Sequence, residues 1–375
     1  MRMVPDQHER DLADLVRGLL AAECPPELVR ALREPGADRM PSGLWKSLAD
    51  AGLLGLPFPE ELGGSGGSLL DLHVLAVEAG RGLCPTLLHS CLLFGLAVDA
   101  LGEDRHRSEL LPALSSGSLR GTAVVAGPRD AADLRPTVTL EDGRLSGSID
   151  FAPDADLADV LLLTASRAGR TVGVLVRAGA PGLEVEPRRV MGSDRWSRVT
   201  LSGVPVAEAD LLAGPDGAGL DPRQLRRVAN LGVTLHSLDL VGVAQAAIER
   251  TVAHTRQREQ FGRPIASFQA AQHLVADMHI ATQAARLAGL AALERLAAGE
   301  EGTRATATAR IHAVTAAKRA TLDAHQLHGG MGYVVETDLH LWSERARVLS
   351  TFGGGADEAT GWLADVVVPT GRGET

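Results

Sequence analysis

The chain has 375 residues, room for two or three domains of about 100–200 residues each. Its net charge of −10, with 22% charged residues, excludes the basic surplus of a nucleic-acid-binding protein and argues against an anionic membrane surface as partner. A hydrophobic fraction of 45% excludes disorder for the bulk of the chain.

Residues 8–120 read as helical. Leu12, Leu15, Leu19 and Leu20 recur at helical spacing. Pro41-Ser42 opens a second helix through Leu44, Trp45, Leu48 and Leu53, and the prolines and glycines of 56–64 break it. A third helix follows Ser68 through Leu72, Val74, Leu75 and Val77, and more apolar helix follows Pro85. Near residue 121 the pattern turns β-like. Thr122 to Val125 forms a strand, and 137–147 reads as a hairpin turning at Asp142-Gly143. Further strands are expected over 160–164, 171–176, 183–185 and 199–206, the pattern of a small barrel or sandwich. From residue 221 the chain is helical again, with long alanine-rich stretches over 225–258, 267–298 and 303–327 and a tight turn at Glu300-Glu301-Gly302. Leu274, Val275, Met278, Leu287, Leu290 and Leu293 mark a core face. The predicted organisation is an N-terminal helical domain over 1–120, a central β-domain over 121–220 and a C-terminal helical bundle over 221–375 that doubles as a subunit interface.

Cys24, Cys84 and Cys91 show neither metal spacing nor a disulfide framework, so buried thiols in a reducing cytosol are expected. Residues 1–11 are polar and lack a signal-peptide pattern. No apolar run of about 18 residues stands out, so a cytoplasmic protein away from the membrane is expected. The histidines suggest no metal site, and there is no Gly-x-Ser-x-Gly elbow.

Three stretches invite chemistry. Arg258-Glu259-Gln260-Phe261-Gly262-Arg263-Pro264-Ile265 ends a long helix. By itself Arg258 reads first as a helix C-cap and second as a guanidinium for a phosphate. Gln326-Leu327-His328-Gly329-Gly330-Met331-Gly332-Tyr333 carries paired glycines, which end a helix or expose amides to an anion. It follows a helix and lacks Gly-Lys-Ser/Thr, so it is neither a dinucleotide fingerprint nor a P-loop. Gly353-Gly354-Gly355-Ala356-Asp357-Glu358 opens a last helix, where Asp357 and Glu358 complement the dipole or flank a ligand.

The order of these pieces resembles the acyl-CoA dehydrogenase family over nearly the whole chain. The stretches that carry the resemblance are 44–57, Pro59-Glu60-Glu61-Leu62-Gly63-Gly64, Met191-Gly192 through Val204-Pro205-Val206, 258–269 and 326–333. The resemblance implies a mainly α fold with a central β-domain, and FAD that straddles a subunit interface. It implies that Arg258, Phe261, Gln326, Gly329 and Gly330 contact the pyrophosphate and adenine half of a neighbour's FAD. Other positions depart from the family. The loop that usually supplies hydroxyls to the flavin ring is Val125-Ala126-Gly127-Pro128-Arg129-Asp130-Ala131-Ala132, without hydroxyls. The aromatic that usually covers the ring aligns near Val160. The catalytic glutamate position holds Gly353, its threonine neighbour is Gly355, and the alternative glutamate position on an earlier helix holds Gly232, followed by Val233. The usual Arg-Asp pair reads Glu344-Arg345.

Glycine cannot take the α-proton, so both usual positions for a base are empty. The expectation is a catalytically silent subunit that completes an FAD site in trans for a homologous partner, in a heterotetramer that dehydrogenates an acyl-CoA in lipid or sterol catabolism. Two alternatives stand beside it. One is a self-sufficient flavoenzyme with a relocated base, for which Asp239, Asp357, His236 and Glu358 are candidates. The other is a non-enzymatic scaffold. Gly232, Gly242 and Ala246 are expected near the acyl cavity. Aromatics are only 3% of the chain, and its single tyrosine, Tyr333, lies beside the motif offered to the neighbour.

Overall fold

The computed structural model describes residues 3–34, 37–192, 196–214 and 217–367. Residues 193–195, inside the Met191 to Val206 stretch, lie outside the described residues. Helix α1 (Gln7–Glu23) begins at a capping box, in which the Asp6 carboxylate accepts from the Glu9 amide and the Glu9 carboxylate accepts from the Asp6 amide. It buries Leu12, Val16 and Leu20 and leaves Leu15 exposed, so the apolar stripe runs through Val16 rather than Leu15. Helices α2 (Pro26–Ala31), α3 (Ser42–Asp50), α4 (Asp71–Arg81), α5 (Leu87–Leu101) and α6 (Asp104–Ser115) follow. Helix α5 is apolar on nearly every face because α6, α7 and the first strand cover it.

Strands β1 (Gly121–Val124), β2 (Val138–Glu141), β3 (Arg144–Pro153), β4 (Val160–Arg167), β5 (Arg170–Arg177), β6 (Leu183–Arg188), β7 (Trp196–Pro205) and β8 (Leu211–Leu212) form one mixed sheet. Its order is β6-β7-β3-β2-β4-β5-β8, with β1 parallel to β4. The small barrel or sandwich thus takes the form of a single eight-stranded sheet. Asp142 and Gly143 both take positive φ, +48° and +71°, and close the β2–β3 hairpin as a type I′ turn. Val138, Leu140, Leu145, Leu161, Leu163, Val174, Val199 and Leu201 fill the core of this domain.

The C-terminal part is α7 (Pro222–Gln257), α8 (Gln269–Ala297), α9 (Thr303–His328), α10 (Leu339–Leu349) and α11 (Ala356–Val367). Helix α7 is the axis and packs on α4, α5, α8, α9 and α10. It is long and apolar enough by composition to cross a bilayer, which corrects the expectation that no apolar run reaches that length. Its apolar window is 83% buried, however, because five neighbouring helices cover it. Where α4 crosses α7 the backbones touch. A Cβ on Gly242 would lie 1.9 Å from the Val77 carbonyl oxygen, and one on Gly80 would lie 2.0 Å from that of Asp239. Gly242 therefore serves helix packing and faces no acyl cavity, and Ala246 is buried in the core instead. The three cysteines are buried free thiols.

Candidate active-site cavity and cofactor surface

A cavity of about 60 Å³ lies where α5, residues 123–131 and the end of β3 meet α7 and the segment joining α10 to α11. Gly232 and Gly353, the two positions at which the resemblance places a base, both line it. A Cβ on Gly232 would come within 2.9 Å of Leu93 Cδ2. Gly353 holds φ +69°, a conformation that disfavours any side chain. Among the described residues, no carboxylate lines the cavity. Its polar side chains are Ser90, His89 and His236, the two imidazoles with ring centroids 6.0 Å apart. His89 is 3% exposed, and neither of its ring nitrogens has a hydrogen-bond partner. Burial pulls its pKa down to about 4, against a smaller opposing pull from Asp239, whose Oδ2 lies 3.4 Å from Nε2. Burial also holds His236 well below the usual range, and His89 adds to the effect.

Asp239 does not reach the cavity. It is fully buried in α7 and accepts from Arg345, with Nε to Oδ1 at 2.9 Å and Nη2 to Oδ2 at 2.5 Å. Its carboxylate is engaged by Arg345 rather than turned to the cavity. Asp357 is exposed in the first turn of α11, and Glu358 accepts from the Gly355 amide at 2.7 Å as a helix cap. Both line a separate, larger cleft of about 980 Å³, together with Arg129, Trp196, Lys318 and Arg319. Neither touches the small cavity, so neither is placed as a base there.

Phe352 stands between the two compartments and lines both. Its ring lies 3.8 Å from Trp196 and makes an edge contact with His236 at 5.5 Å. Arg310, fully buried in α9, fixes this segment by donating to the carbonyls of Leu349, Phe352 and Gly354. Val160, expected to mark the flavin-covering aromatic, is instead core on β4, paired with Gly121. The aromatic facing both compartments from the sheet is Phe151 on β3, at φ +60°. Sequence reading missed it because a β-bulge between Ile149 and Ala152 shifts the register there. It also missed His89 and Arg310, which sit in no motif, and Trp196, whose place at the cleft comes only from tertiary packing.

The other predicted group gathers at one end of the bundle. The His254 and His328 rings stack at 4.3 Å and bring the end of α7 beside the end of α9. Arg258 follows one turn after His254, and Gly329 follows His328. After Arg258 a two-residue hairpin pairs β9 (Glu259–Gln260) with β10 (Arg263–Pro264). Phe261 and Gly262 form its turn at φ +54° and +77°. Phe261 is 94% exposed in this conformation. Arg258, Gln326, Gly329 and Gly330 are exposed as well, and nothing lies within 4 Å of a Cβ placed on either glycine.

Residues 6–118 match the acyl-CoA dehydrogenase N-terminal domain, and residues 226–364 match the acyl-CoA dehydrogenase C-terminal domain. The chain belongs to the acyl-CoA dehydrogenase family, whose cofactor is FAD. It is 30% identical to the acyl-CoA dehydrogenase IpdE2 of Mycobacterium tuberculosis, over 92% of each chain. It is also 30% identical to the probable acyl-CoA dehydrogenase YngJ of Bacillus subtilis, over 79% of this chain and 82% of that one. Among solved structures it is similar to a variant of the Tcur3481-Tcur3483 steroid ACAD, with TM-score 0.86 and 29% identity over 98% of this chain and 99% of that one. It is likewise similar to the ChsE4-ChsE5 complex from Mycobacterium tuberculosis, with TM-score 0.87 and 26% identity over the full length of both chains.

Proposed function

We propose that this chain is the partner subunit of a hetero-oligomeric acyl-CoA dehydrogenase, a heterotetramer working in the cytoplasm, and that it completes an FAD site on its neighbour without running the reaction itself. One observation carries the reading. Gly232 and Gly353 line the same cavity, which no carboxylate among the described residues lines, while the Arg258–Gly330 group stands open at the end of the bundle. The family's reaction removes an α-proton with a positioned carboxylate; FAD, when bound, accepts the hydride from Cβ. Here the open group fits the outer half of that cofactor. Arg258 offers a bidentate guanidinium to a phosphate, and Gly329 and Gly330 let a phosphate approach their amides. Phe261 supplies an apolar face and Gln326 a side-chain amide. That two similar structures are each described by a pair of chains supports a heteromeric assembly. The steroid dehydrogenase among them supports a bulky, sterol-derived acyl thioester as the substrate of the complex.

Co-expression with a homologous subunit that carries the glutamate tests the reading. The complex is expected to hold FAD and oxidise an acyl-CoA, and the isolated chain to do neither. An isolated chain that purifies with one FAD per protomer and turns over acyl-CoA contradicts it.

A second reading, a self-sufficient enzyme with a relocated base, draws on the imidazole of His89, which makes no hydrogen bond, beside His236. Burial works against it. An imidazole held near pH 4 is a weak base at neutral pH, where a general base works best with a pKa close to the operating pH. Turnover by the isolated chain that is lost in His89→Gln would establish this reading.

A further inference from the structure

Dehydrogenation in this family needs the acyl chain and the flavin ring in one compartment, with the reacting atoms about 3–3.5 Å apart. This chain has two compartments and a wall. The acyl-side cavity measures about 60 Å³. An engineered core cavity that takes a single benzene ring measures about 150 Å³. The cleft beyond the wall is roomy, at about 980 Å³, and Phe352, tilted against Trp196 with ring centroids 3.8 Å apart, lines its boundary with the small cavity.

The loop that should cradle a flavin ring is committed elsewhere. The Gly353 amide donates to the Pro128 carbonyl at 2.7 Å, and the Ala131 amide donates to the Gly353 carbonyl at 3.0 Å. Inside the loop, the Gly127 amide donates to the Asp133 carbonyl, the Asp133 amide to the Asp130 carbonyl, and the Ala132 amide to the Asp130 side chain. From outside, Arg226 on α7 donates to the carbonyls of Ala131 and Ala132, at 2.7 and 2.5 Å. Trp362 on α11 donates to Asp130 Oδ1 at 2.8 Å. A flavin ring edge needs donors and acceptors, and a buried polar edge without partners is costly. The ring side of the FAD site therefore does not fit this chain, whereas the outward group does.

We propose that this chain's own catalytic compartment is latched shut: the 127–133 loop, tied to Gly353, Arg226 and Trp362, holds Phe352 as a partition between the acyl cavity and the cleft. The proposal rests on the partner-subunit reading and deepens it. The silent site is closed by its own hydrogen bonds as well as lacking a base, so a glutamate alone does not reopen it.

Hydrogen exchange on the purified full-length protein tests the latch, read on peptides covering 126–134 and 350–356, with and without saturating FAD. The amides of Gly127, Ala131, Asp133 and Gly353 are expected to exchange on the order of 100-fold more slowly than open-loop amides, and FAD is expected to leave them unchanged. Arg226→Ala is expected to speed exchange in both segments together, and Trp362→Phe to do the same more weakly. Should Arg226→Ala unfold the chain, Trp362→Phe still decides. Open-loop rates in the wild type overturn the latch, as does added protection of 126–134 by FAD. The two readings fail separately. Fast exchange here, with FAD retention by the complex still dependent on Arg258, sinks only the latch. Slow exchange, with FAD retention indifferent to Arg258, sinks only the partner reading.

Discussion

Asp239 and Arg345 stand 106 positions apart, yet form a pair in the protein's interior. Removing one partner of a buried ion pair strands the other charge, at a cost of about 3–5 kcal/mol. Asp239→Ala is expected to lower stability by that amount in urea unfolding, and Asp239→Leu with Arg345→Met to recover most of it. A catalytic Asp239 would instead show its loss in turnover with stability intact. Gly353→Glu returns a carboxyl to its usual position but forces a side chain onto φ +69°. It is expected to cost roughly 1–2 kcal/mol and to bring no acyl-CoA oxidation by the isolated chain. His89 and His73 are both held near pH 4 by burial. Their folded pKa values lie below the unfolded value of about 6.5, so the unfolded chain takes protons that the folded chain refuses. Stability from these residues is complete above about pH 6.5 and falls toward pH 4, by about 1.4 kcal/mol per pH unit for each histidine. His89→Gln is expected to flatten that fall by one proton's worth when unfolding is followed across the range. At this scale the outward residues were legible because they are consecutive in short motifs. The Asp239–Arg345 pair and the buried His89 beside it were not, since a partner on another helix leaves no mark in local sequence.

Among the elements, period alone located the long helices. The stretch over 225–258 became α7 (Pro222–Gln257), and 303–327 became α9 (Thr303–His328). Which glycine does what was not legible. Gly18 in α1 has nothing within 4 Å of a Cβ, whereas Gly242 in α7 meets the Val77 carbonyl. Gly18→Ala is expected to raise stability by about 0.5–1 kcal/mol through helix propensity, and Gly242→Ala to lower it by about 1–3 kcal/mol through overpacking, both read as shifts in the urea midpoint. If Gly242 faced a cavity instead, its substitution would be as mild as that of Gly18. The strand at 144–153 shows a complementary limit. A bulge adds a residue that pattern reading does not count, and the aromatic of the site moves from the Val160 neighbourhood to Phe151.

For the whole molecule, the two groups that the partner-subunit reading assigns to cofactor binding sit in different places and are built differently. The β-domain side and the α10–α11 segment are tied together by their own hydrogen bonds, while the end of the bundle displays an arginine, a strained phenylalanine and two open glycines. Phe151, Trp196 and Phe352 meet around the partition, and Phe261 and Tyr333 face outward. The most direct measurement is the FAD content of the complex with its homologous partner, compared between wild type and Arg258→Ala in this chain alone. Loss of a charge-assisted bidentate phosphate contact is expected to weaken FAD binding by about 10–100-fold while the two chains remain associated. FAD retention and turnover unchanged by Arg258→Ala would contradict the claim that this chain completes its neighbour's site.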